Sequence, residues 1–289
     1  MQAAHRIEET LDQVICLAEG QGAPPLLGAA LRYSVFPGGH RIRPRLCLAV
    51  AAACGDSDPA AANAAAAAIE LLHCASLVHD DLPCFDDAAT RRGKVSVHLK
   101  FGEPLAVLAG DALIVAAFET LARGAARHPA RLVNLLSVIA QAVGSPNGIV
   151  AGQAWECEPS VVLSDYQRAK TGALFAASTV AGAAAAGAAH KDWRWLGEKL
   201  GEAYQVADDL SGVASLAADI GKPTGQDASH SRPNAVAQLG VEGAVKRLKG
   251  LIAAAIDSIP PCPGAAELRS AIHAQTRAFL PKELAREAA

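Results

Sequence analysis

The segment His79-Asp80-Asp81-Leu82-Pro83-Cys84-Phe85-Asp86-Asp87 packs four carboxylates into eight residues, and Arg91, Arg92 and Lys94 follow at once. At neutral pH these acids repel one another, and a packed setting tolerates them only with cations close by. Oxygen donors with basic neighbours suit Mg²⁺ shared with a phosphate group, because Mg²⁺ keeps several waters and takes one or two carboxylates together with substrate oxygens. A second acidic pair, Asp208-Asp209, closes Tyr204-Gln205-Val206-Ala207, and the basic Gly221-Lys222-Pro223 comes soon after it. One acidic pair reads equally well as a solvated loop. Two pairs, each ending a helix, are placed to face one another across a bundle and hold metal between them. Glu202 lies off the helical face of Asp208 and reads as surface.

Basic residues gather in Gly38-Gly39-His40-Arg41-Ile42-Arg43-Pro44, at Arg91-Arg92, at Lys170-Thr171 and at Lys222. Arg offers a planar fork to phosphate oxygens and Lys a point charge, so together they suit two diphosphates. Each alone reads as surface charge. His73 stands seven residues before Asp80, two turns along one helical face, which aims it at the same cavity.

The elements that must position these groups read as helices. Runs of Ala and Leu closed by Gly or Pro recur along the chain, and β-branched alternation is scarce. The expectation is an all-α fold: one domain over residues 1–289, a bundle of about ten or more helices around a central cavity. Small residues such as Ala64 to Ala68 let the helix backbones approach closely.

Composition narrows the function. The 289 residues carry 26 Lys+Arg against 29 Asp+Glu, a net charge of −3, which disfavours nucleic acid as a partner. Mean hydropathy is +0.20, much of it from alanine. Asp111 interrupts the apolar run Pro104–Phe118 and Ala173–Ala189 is Ala/Gly, so neither reads as a membrane span. The charged start MQAAHRIEETLDQ lacks the apolar centre of a secretory signal, and a soluble cytoplasmic protein is expected. Seven scattered cysteines without a CxxC pair point to neither a zinc ribbon nor a disulfide framework.

FPGGHRIRP, ELLHCASLVHDDLPCFDDAATRRGK, LAGDAL, AKTGALF, YQVADDL and GKPTGQD, in this order over Phe36–Asp227, resemble the trans-prenyl diphosphate synthases, most closely the bacterial geranylgeranyl diphosphate synthases of carotenoid pathways. The resemblance covers nearly the whole chain. It implies the isoprenoid synthase fold, a homodimer, and condensation of isopentenyl diphosphate with an allylic diphosphate. It further implies that Asp80 and Asp86 hold two Mg²⁺ ions and Asp208 a third, all on the allylic diphosphate. By the same likeness Arg91, Lys170 and Lys222 add charge there, His40, Arg43, His73 and Arg92 bind isopentenyl diphosphate, and Thr171 and Gln205 line the reacting centre. No protein nucleophile is needed, and no nucleophile–base pair stands out.

Two positions depart from the family pattern. His40 stands where a Lys usually follows the two glycines, and Gly212 stands where the second motif usually ends in Asp. Ala75 and Ser76, just before Asp80, are small where short-chain members often carry an aromatic, and Pro83 and Cys84 or their neighbours lengthen the spacing to Asp86. This favours a geranylgeranyl product over a farnesyl one, with Leu72 or the following helices as the floor of the chain pocket. A farnesyl diphosphate synthase and a weakly active regulatory subunit are the alternatives. A class I terpene cyclase shares the acidic helices and Mg²⁺ but has no use for a second diphosphate site at Arg43, His73 and Arg92. Restoring a permanent charge with His40→Lys is expected to lower the KM for isopentenyl diphosphate; steady-state kinetics showing an unchanged KM would contradict a charge role at this position.

Overall fold

The computed structural model describes residues 2–56, 58–214 and 234–276. Its helices are α1 (Gln2–Ala18), α2 (Pro25–Val35), α3 (Ile42–Ala53), α4 (Pro59–Asp80), α5 (Val97–Phe101), α6 (Glu103–Gly124), α7 (Pro129–Val143), α8 (Ile149–Ala154), α9 (Leu163–Gln167), α10 (Ala173–Ala185), α11 (Arg194–Ala214), α12 (Ala235–Asp257) and α13 (Ala265–Thr276). The all-α expectation holds, with more and shorter helices than the Gly/Pro spacing alone predicts. The additions are α5, α8 and α9, each too short to show a periodicity of its own.

One element was not expected. Thr90–Arg91 (β1) and Lys94–Val95 (β2) pair as a small antiparallel hairpin. Arg92 and Gly93 turn it with φ of 53° and 72°, the twist that a two-residue hairpin loop requires. An Arg therefore occupies a left-handed position normally left to Gly or Asn.

Helix α4 is the axis of the fold. Asp58 caps it by accepting from the Ala60 N–H at 3.2 Å, Pro59 occupies its first turn, and Ala61, Ala62 and Ala64–Leu72 are all buried. Alanine on every face brings α6 close enough that a Cβ at Gly124 would fall 2.3 Å from the Ala64 Cβ. The helix stops after Asp80, with Asp81 at its C-cap and the Leu82-Pro83 step unable to continue it. Its acids are thus delivered at the end of a rigid rod. Helices α4 and α6 are both long and apolar enough to cross a membrane by length and composition, beyond what the sequence reading allowed. The apolar stretch of α4 is 78% buried and that of α6 only 39%.

Helix α10 is buried from Leu174 to Ala185, and α3 and α11 flank it. Its Ser178 hydroxyl turns back onto the Leu174 carbonyl at 2.6 Å, and the Thr179 hydroxyl reaches the Trp193 carbonyl at 2.7 Å, so both polar groups are satisfied inside the core. Just before it, Arg168–Gly172 forms a π-helical turn, which displaces Lys170 and Thr171 from the regular helical track. Gly152 of α8 allows that turn to approach: a Cβ there would lie 2.4 Å from the Lys170 backbone N.

Candidate active site

The loop after α4 folds back on itself. The Asp86 N–H donates to the Asp80 carbonyl at 3.0 Å and the Ala88 N–H to the Asp81 carbonyl at 3.2 Å, so two acids six positions apart meet although no helix joins them. Across from them stands Glu156, in the short turn after α8. One oxygen each from Asp80, Asp86 and Glu156 lies within 4.8 Å of the others, and all three residues are half-buried. Three hard oxygen donors at this spacing fit a divalent cation such as Mg²⁺.

Basic groups face this cluster. The Lys170 ammonium donates to Asp80 Oδ1 at 3.1 Å and to Glu156 Oε1 at 2.6 Å. Burial pulls the Lys170 pKa down, but the charge of Asp80 and then Tyr166 and Glu156 outweigh it and hold the ammonium protonated well above its ordinary range. Gln153 donates to the other Glu156 oxygen at 2.9 Å. Arg91 places its Nε 2.8 Å from Asp81 Oδ1 and reaches Asp80 Oδ2 at 3.7 Å. Asp81 is 2% exposed, and burial raises its carboxyl pKa against the lowering pull of Arg91. The neighbours therefore divide: Asp80 faces the cluster while Asp81 anchors an arginine.

A second group of cations lies two turns back along the same face of α4. Arg43 Nη1 is 3.3 Å from His73 Nε2, and its guanidinium stacks over the rings of Phe175 at 4.6 Å and Tyr204 at 5.7 Å. Arg can only donate, so Nε2 carries the lone pair and the proton of neutral His73 sits on Nδ1. Burial, and then the charge of Arg43 and Arg92, hold the His73 pKa well below 6.5. Glu70 is the acid that balances this group. It is 1% exposed and receives Arg41 Nη1 at 2.7 Å, with Arg92 Nη2 3.9 Å away. Removing one partner of such a buried pair typically costs about 3–5 kcal/mol. Gly39 leaves the space for Arg92: a Cβ would lie 3.0 Å from the Arg92 Nε.

Between the two cationic groups, the Thr171 hydroxyl donates to Gln205 Oε1 at 3.3 Å. Asp208, one turn further along α11, is half-buried. The structure thus brings Asp80, Asp86, Arg91 and Lys170 together, and separately Arg43, His73 and Arg92, with Thr171 and Gln205 paired. His40 is exposed in the loop before α3. Glu202 is exposed and bound to Lys199 at 2.7 Å, as a surface residue should be. Lys222 lies outside the described residues. At Gly212 a Cβ would meet nothing within 4 Å, so the missing acid is a chemical difference and not a steric one. Glu156 escaped the sequence reading because nothing distinguishes it from Glu158 two residues on; Gln153, three residues earlier, is the local partner that marks it in the fold.

The model of the Polyprenyl synthetase family matches residues 24–261. The chain belongs to this family. It is 54% identical over 285 residues to a geranylgeranyl diphosphate synthase of Cereibacter sphaeroides, covering 99% of both chains. Over 268 residues it is 53% identical to the geranylgeranyl diphosphate synthase of Rhodobacter capsulatus, covering 93% of both. Among solved structures, a Helicobacter pylori geranyltransferase complexed with magnesium and isoprenyl diphosphate superposes with a TM-score of 0.78 at 29% identity, covering 94% of this chain and 96% of that one.

His73 gives the site a measurable signature. Its folded-state pKa lies below the ordinary 6.5, so the unfolded chain takes up the proton first. Its contribution to stability is complete above about pH 6.5 and is lost on acidification below that, by up to about 1.4 kcal/mol per pH unit. Urea unfolding from about pH 8 to about pH 5.5 should show His73→Gln losing less stability than the native chain. Parallel curves would contradict a neutral His73.

Proposed function

We propose that the protein is a trans-prenyl diphosphate synthase that extends an allylic diphosphate with isopentenyl diphosphate to geranylgeranyl diphosphate. The observation that carries this is the pair of separate cationic groups, one facing three carboxylates and the other centred on Arg43, His73 and Arg92, with Thr171 and Gln205 between them. A cyclase needs only the first. The 53–54% identity to geranylgeranyl diphosphate synthases supports the same reading.

Asp80, Asp86 and Glu156 would hold Mg²⁺ from one side and Asp208 from the other, three ions in all. Bound there, Mg²⁺ supplies charge that stabilises the departing diphosphate. Arg91, Lys170 and Lys222 bind the allylic diphosphate, and Arg43, His73, Arg92 and His40 bind isopentenyl diphosphate. The allylic C–O bond breaks with its electron pair leaving on oxygen, and preorganised cations stabilise the anion as it forms. The isopentenyl double bond then attacks the allylic cation, forming the new C–C bond. A proton leaves the adjacent carbon to the departing diphosphate, and the new double bond closes. Lys170 remains protonated throughout.

Product length is set beneath α4. Ala75 is buried, and the Ser76 hydroxyl folds onto the His73 carbonyl at 2.8 Å, so both small side chains would leave room for the growing chain, with buried Leu72 or residues of the following helices as its floor. The enzyme is a cytoplasmic homodimer whose product feeds carotenoid synthesis. Its dimer face is α6, where Val107, Leu108 and Val115 are exposed on one side of an apolar helix.

The purified protein, given Mg²⁺, labelled isopentenyl diphosphate and dimethylallyl, geranyl or farnesyl diphosphate in turn, should yield geranylgeraniol as the main alcohol after dephosphorylation. Farnesol as the end product would overturn the chain-length reading, and no product from any primer would overturn the synthase reading in favour of a regulatory subunit.

A further inference from the structure

Adjacent carboxylates of the second acidic pair have different surroundings. Asp208 is half-buried, whereas Asp209 is 7% exposed and turned about 100° away around α11. Asp209 Oδ1 accepts from Gln205 Nε2 at 3.1 Å, and Oδ2 accepts from the backbone N–H of Ala235 at 2.7 Å. Ala235 is the first residue of α12, so its N–H has no partner within the helix and the Asp209 carboxylate supplies one; the helix is broken five residues on at Gly240, where φ is 69°. On its other side Gln205 accepts from the Thr171 hydroxyl. These contacts form one chain, from Thr171 through Gln205 and Asp209 to the start of α12.

We propose that Asp209 is a positioning residue: it fixes the Gln205 side-chain amide so that the carbonyl oxygen, and not the NH₂ group, faces Thr171 and the reacting centre. An ionised carboxylate only accepts hydrogen bonds, so it selects the NH₂ end of Gln205. Flipping the amide would set its oxygen against the carboxylate and point two N–H groups toward the place where the allylic cation forms. Holding the oxygen there supplies a lone pair, and its partial negative charge, without reorganisation during the reaction. This inference rests on the synthase reading, which places Thr171 and Gln205 beside the reacting carbon. It separates Asp209 from the metal-holding role of Asp208.

The test is a swap of polarity. Asp209→Asn should lower kcat by about 10–100-fold, with the KM of both diphosphates and the Mg²⁺ concentration for half-maximal rate each within about twofold of native. Gln205→Glu alone should also lower kcat, because it places two carboxylates in contact. When the two substitutions are combined, the new amide can donate to the new carboxylate and still accept from the Ala235 N–H. The chain is then restored with its polarity reversed, so the double variant should recover at least about tenfold of the loss. Melting temperature, which needs no turnover, should fall in each single variant and recover in the double. That readout judges the pairing even if no primer is extended. Losses in the double variant equal to the sum of the singles, in both rate and melting temperature, would overturn the proposal. So would an Asp209→Asn variant whose main defect is a raised Mg²⁺ requirement.

Discussion

The crowding of acids at the end of α4 is the constraint on which the rest of the structure depends. Asp80, Asp81 and Asp86 meet within a loop that hydrogen-bonds back onto the helix end, and Glu156 closes the group from the far side. Like charges this close, half out of water, stay ionised only beside compensating cations. Lys170 and Arg91 provide that compensation here, each bridging two acids. A divalent ion carried in with a diphosphate would compete with Lys170 for the same oxygens of Asp80 and Glu156. The acids that make the site costly to fold are thus the ones that the proposed metal–diphosphate pair would use.

Holding such a cluster steady requires a stiff support, and the alanine-rich interior provides it. Side chains of one carbon let α4 sit against α6 and α10 against α3 at distances that larger residues would forbid; a Cβ at Gly182 would fall 2.4 Å from the Cys47 carbonyl. Close backbone packing has few rotamers to rearrange, so the ends of these helices are fixed in space. Among the described residues, the π-helical turn at Arg168–Gly172 is the local break in the helical track next to the site, and it aims Lys170 at the acids and Thr171 at Gln205.

What the sequence made legible follows from how local each signal is. Asp80, Asp86, Arg91 and Arg92 stand together along the chain, and their density alone announced the chemistry; Arg43 and His73 were legible through their place in longer motifs. Glu156 was not, because its meaning comes entirely from contacts with Lys170 and Asp80 on other elements. Glu70 and Arg41 were passed over for a similar reason. Within the sequence Glu70 is one acid in an alanine-rich helix, and only the fold reveals it as the buried counter-charge of the second cationic group. The helical class was plain from composition, whereas the hairpin at Thr90–Val95 was hidden because its strands are two residues long and its turn begins with an arginine.

The central claim, that this carboxylate cluster trades its internal cations for metal only in company with a diphosphate, can be read directly by electron paramagnetic resonance. Mn²⁺ titrated into the full chain should bind weakly alone and tightly once inorganic pyrophosphate is added, and Asp80→Asn should abolish the gain. Tight Mn²⁺ binding that is indifferent to pyrophosphate, or that survives loss of the Asp80 charge, would contradict it.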